Sequence, residues 1–75
     1  MKMEFNIELR KIKVHFSPDI RVMSMMDKME SYNLHIEDFT REKYVLYFTL
    51  TGTKYNLQRF LDDYDFDKPL DYYML

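Results

Sequence analysis

Residues 43–61 read KYVLYFTLTGTKYNLQRFL, and the fold turns on the change of rhythm inside them. Up to Thr51 the apolar residues alternate. Tyr44, Leu46, Phe48 and Leu50 share one face of a strand, and Val45, Tyr47, Thr49 and Thr51 share the other. The chain's single glycine, Gly52, releases that strand. Thr53 can then cap a helix over 54–65, because Leu57, Phe60, Leu61 and Tyr64 recur at helical spacing. One face of the strand and one stripe of the helix are therefore made to meet.

Upstream, Leu34–Phe39 (LHIEDF) reads as a partner strand joined through the charged turn Thr40-Arg41-Glu42. Before it, Ser17-Pro18-Asp19 has the composition of a helix start: a hydroxyl cap, proline at the first helical position and a carboxylate in the positive first turn. Val22, Met26 and Met29 continue it to residue 32, and Asn33 suits a left-handed terminating conformation. The first segment, 3–16, alternates Met3, Phe5, Ile7 and Leu9, then Ile12, Val14 and Phe16. That phase switch at Arg10-Lys11 needs an inserted residue or a turn, and without a turn glycine one long bulged strand is favoured over a hairpin. After Pro69, the segment LDYYML has the β-propensity of a short last strand.

The expected order is β-α-β-β-α-β in one α+β domain spanning 1–75: a ferredoxin-like antiparallel sheet with two helices on one face and the other face open. The run of strand, proline-started helix and YNLHIEDF strand resembles small regulatory domains of the ACT kind. It lacks their glycine-bearing ligand loop, so the resemblance implies a regulatory or dimerisation role and no ligand.

Composition narrows the chemistry. Seventy-five residues without cysteine leave neither disulfide, thiolate zinc site nor thiol nucleophile. No N-terminal h-region and no apolar run near ~18 residues point to a cytoplasmic, non-membrane protein. A lone glycine excludes phosphate-binding glycine loops. Asp63, Asp65 and Asp67 open like a calcium loop, but Lys68 stands where the turn glycine belongs and Met74 where the bidentate glutamate belongs. His15 and His35 carry no serine or acid at triad spacing, and with Glu37 they make at most half a metal site. Neither a catalytic residue, a metal nor a cofactor is expected.

Surfaces remain. Residues 34–75 hold five basic and eight acidic side chains, and Asp62, Asp63, Asp65, Asp67 and Asp71 face only Lys68 in their own stretch. Such a strip repels phosphate backbones and steers toward a basic partner, although solvated carboxylates also serve solubility alone. The open sheet face is expected to present Lys13, His15, His35, Phe39 and Tyr47, aromatic groups interleaved with positive charge. That face could stack RNA bases as in an RRM, but the net charge of −2 argues against nucleic acid. Seven tyrosines, six phenylalanines and seven methionines exceed what a small core hides, so a protein interface or a homodimer is expected. The expected function is a non-enzymatic regulator or inhibitor that occupies a partner's surface. Alanine is absent while residues with AT-rich codons abound, which fits a phage or mobile-element protein that blocks a host nucleic-acid-handling enzyme.

Overall fold

The structure is a computed structural model and describes residues 8–75. Strand β1 (Leu9–Phe16) leads to helix α1 (Val22–Ser31), strands β2 (His35–Arg41) and β3 (Leu46–Thr53), helix α2 (Lys54–Asp63) and a single helical turn α3 (Leu70–Tyr73). The sheet is three-stranded and antiparallel in the order β1-β3-β2. β3 is central, as its two-sided burial requires: Leu46, Phe48, Leu50 and Gly52 are buried, while Tyr47, Thr49, Thr51 and Thr53 are half-buried. Ile12 and Val14 of β1 join the buried face, and Met29, Leu57, Phe60, Leu61, Leu70 and Tyr73 cover it from the helices. Among the described residues no helix is long and apolar enough to cross a membrane.

The junction at Gly52-Thr53 is as the pattern predicts. The Thr53 side chain accepts a hydrogen bond from the Asn56 backbone N–H at 3.1 Å, capping α2. Gly52 gives Leu34 its room: a Cβ there would stand 2.6 Å from Leu34 Cδ2 and push that methyl aside. Leu34 thus seals the core beneath the strand end.

Four expectations are corrected. First, Ser17-Pro18-Asp19 does not start the helix; Ser17 C=O accepts from Ile20 N–H in a turn, and the first helical bond runs from Met25 N–H to Arg21 C=O. The turn draws Ile20 against the core, and the proline-started helix behind the ACT resemblance is lost. Second, β1 holds an unbroken register from Leu9 opposite Thr53 to Phe16 opposite Leu46, with no bulge, and Leu9 is exposed on the open face; residues 3–7 lie outside the described part. Third, Tyr44 belongs to the β2–β3 loop, closed by Glu42 N–H donating to Val45 C=O at 2.8 Å, and is exposed instead of facing the helices. Fourth, the expected last strand is mostly helical. Pro69 sets the turn, Leu70 and Tyr73 are buried three residues apart, and only Met74 forms a bridge, to Ile12 on the outer edge of β1.

The bulge lies in β2. Ile36 faces Leu50 and Asp38 faces Thr49, so Glu37 is the extra residue. It turns Phe39 to the helix side, where its ring lies 4.8 Å from that of Phe48. Burying a phenylalanine is worth about 1.5–3 kcal/mol and a net ladder hydrogen bond only about 0.5–1.5 kcal/mol, so the bulge wins. Phe39 therefore does not belong to the open face where the strict alternation of β2 puts it.

Candidate functional site

Both helices that end near the acidic stretch close with the same backbone device. After α1, Asn33 takes φ 59°, with Leu34 N–H donating to Met29 C=O and Asn33 N–H to Glu30 C=O. After α2, Asp65 takes φ 56°, with Phe66 N–H donating to Leu61 C=O and Asp65 N–H to Asp62 C=O. This is the Schellman arrangement, whose left-handed position favours glycine or asparagine. Aspartate at that position is unfavourable twice over. A Cβ disfavours positive φ, and the carboxylate joins Asp62 and Asp63 at the negative end of the α2 dipole. No basic residue stands in that last turn.

The five aspartates are all exposed. Asp62 accepts from Gln58 Nε2 at 2.9 Å and Asp63 accepts from the Tyr32 hydroxyl. Among the described residues none has a cationic side chain at ion-pair distance. Lys68 instead lies over the Tyr72 ring, 5.9 Å from its centroid, and Arg59 lies between Tyr32 and Tyr55, 5.5 and 5.8 Å from their centroids. The aromatic rings engage the nearby cations and the carboxylates stay uncompensated. Phe66 anchors the connector beneath them against Phe16, Phe60 and Tyr73.

The hydrogen bond to Asp63 raises the Tyr32 pKa, with burial and the negative charge of Asp63 adding to it; burial raises that of Tyr73. Each phenol stays neutral in the folded state above the value near 10.0 at which it ionises when unfolded. Their stabilisation is therefore complete below that value and lost as pH rises through the folded pKa. Urea unfolding from about pH 9 to about pH 11 should show falling stability, with a weaker decline in Tyr73→Phe.

The open face is different in character. Its rows run His15-Tyr47-Thr40, Lys13-Thr49-Asp38 and Lys11-Thr51-His35 across β1, β3 and β2. Lys13 Nζ lies 4.9 Å from the Tyr47 ring centroid, and the His15 ring 6.3 Å from it. Glu37 accepts from the Thr51 hydroxyl at 3.0 Å and stands 3.9 Å from His35. Lys13, His15, His35 and Tyr47 thus occupy the face the alternation assigns them. The two histidines are on opposite outer strands, and among the described residues no three metal-binding side chains gather. Among the described residues, Tyr47 is the face's phenyl-bearing aromatic residue now that Phe39 has turned inward. Glu37 and Asp38 take its place. A strict period-two reading finds only Glu37 there, because the bulge that adds Asp38 is set by the Phe39–Phe48 contact across strands.

The chain matches no protein-family model, no curated protein and no solved structure.

Proposed function

We propose that this chain is a non-enzymatic regulator that binds a partner protein by laying its acidic end, Asp62, Asp63, Asp65, Asp67 and Asp71, on a basic surface. The carrying observation is the cluster's placement: carboxylates at the wrong end of the α2 dipole, one of them at a left-handed position, with no cation at ion-pair distance among the described residues. Local rules broken together, without internal compensation, are characteristic of functional surface. Solubility needs exposed charge, but not charge gathered at the negative end of a helix dipole.

We read the fold as a ferredoxin-like arrangement whose last strand is reduced to the Met74 bridge. The order β1-β3-β2 with that bridge on the outer edge of β1 supports this reading. The specific version is a phage or mobile-element protein acting in the cytoplasm on a host nucleic-acid-handling enzyme, whose phosphate-binding surface the carboxylates would occupy. RNA binding by the open face has less support, since among the described residues Tyr47 is the ring left there for stacking and Glu37 and Asp38 stand where Phe39 was expected.

The test is capture from host lysate by the immobilised protein at low salt. A basic protein should be retained in stoichiometric amount, released by salt, and lost with Asp63→Lys, Asp65→Lys and Asp67→Lys combined. Capture unchanged by the triple reversal would exclude the acidic end as the contact; retention of RNA in its place would favour the open face.

A further inference from the structure

We propose that the open sheet face is a self-complementary surface on which two copies of this chain pair face to face, β1 of each lying over β2 of the other. This goes beyond the acidic end, which borders the face at His15, where Asp65 and Asp67 line the same groove.

Charge is sorted by strand across the face. Exposed Lys11 and Lys13 lie along β1, exposed Glu37 and Asp38 along β2, and β3 between them contributes Thr49 and Thr51. The lysines and carboxylates are separated by a whole strand, about 10 Å at the usual inter-strand spacing, and form no ion pair within the sheet. Opposite charges on neighbouring strands would stabilise the single domain; here the neutral strand keeps them apart. Lys13 is instead held over the Tyr47 ring, which keeps its stem along the face.

A two-fold axis running along β3, between two stacked sheets, exchanges left and right and preserves position along the strand. Lys13 then meets Asp38 of the second copy, and Lys11 lies opposite His35, each twice. The Glu37 carboxylate, held on Thr51 of that same row, stands beside the Lys11–His35 position and supplies its negative charge. Thr49 meets Thr49 on the axis, and His15 lies opposite Thr40. Stacked sheets pack about 10 Å apart with strands roughly aligned, a gap that lysine and carboxylate side chains can span together. The alternative axis, across the strands, would lay lysines on lysines. One arrangement is therefore selected by charge, with the self-complementarity a two-fold interface needs. Eight-residue strands in a three-stranded sheet offer only about 400 Å² per copy, which places the dimer among weak, salt-sensitive associations.

Sedimentation equilibrium from about 10 µM to about 1 mM chain tests this, at low and at high salt. The average mass should climb from one chain toward two at low salt, and high salt should weaken association by on the order of tenfold. Lys11→Glu with Lys13→Glu, and separately Glu37→Lys with Asp38→Lys, should each give a monomer, while an equimolar mixture of the two variants should recover the dimer. Recovery also shows that both variants are folded. Thr49→Arg, which places two cations at the axis, should abolish pairing by itself. The proposal is overturned if the wild type stays monomeric at low salt, if either double variant or Thr49→Arg associates as the wild type does, or if the mixture stays monomeric. It is equally overturned if reversing Asp63, Asp65 and Asp67 disrupts the dimer, because the contact would then be the acidic end.

Discussion

Phe48→Ala is expected to leave little folded protein at 37 °C. Phe48 is fully buried on the central strand, its ring edge-on to Phe16 at 5.8 Å and tilted against Phe39 at 4.8 Å. Truncating a buried phenylalanine costs about 3–5 kcal/mol, and a domain of this length has only about 4–11 kcal/mol to lose. The site cannot collapse to fill the void. Its neighbouring rings belong to the two flanking strands, and closing on the cavity would pull the Phe39 bulge out of register. Urea unfolding should show the midpoint falling by roughly half. Tyr44→Ala is the control, since that tyrosine is 73% exposed in the β2–β3 loop and should change stability by no more than about 0.5 kcal/mol. A Phe48→Ala loss under about 1 kcal/mol would mean that the three rings do not form one core.

The contrast between Phe48 and Phe39 shows what could be read in advance. Phe48 sits in an eight-residue alternation closed by Gly52 and a Thr53 cap, signals that are local and agree with one another. The same holds for Leu57, Phe60 and Leu61 on α2 and for Asn33 at the end of α1. Phe39 obeys a cross-strand contact that no window of sequence contains, so a strict alternation puts it on the wrong face. Pro69–Tyr73 fails for a related reason: its β-propensity is genuine, but burial of Leu70 and Tyr73 at helical spacing, with Tyr73 edge-on to Phe66, decides the outcome. Of the candidate surfaces, the acidic stretch was legible as charge. Its cost was not, because that depends on where α2 stops and on Asp65 alone taking the left-handed position.

That cost gives the second large effect, in which stability and binding move in opposite directions. Combining Asp62→Asn, Asp63→Asn and Asp65→Gly should make the domain more stable and the regulator inactive. Removing two carboxylates from the negative end of a helix dipole returns about 0.3–1 kcal/mol each, and glycine at a φ of 56° returns about 1 kcal/mol more. The sum is about 2 kcal/mol, or a rise of about 10 °C in Tm for a domain of this size. Asparagine at 62 and 63 keeps an oxygen to accept from Gln58 and Tyr32, so the neighbouring hydrogen bonds survive and the gain is electrostatic. The gain should shrink in high salt. Binding to a basic partner should fall chiefly through the association rate, by on the order of 10–100-fold at low salt, since long-range steering is what exposed charge supplies. A variant that is more stable and still captures the partner at the original rate would make the aspartates a solubility device. One that loses stability would remove the strain at the end of α2, and with it the reason for reading those carboxylates as a binding surface.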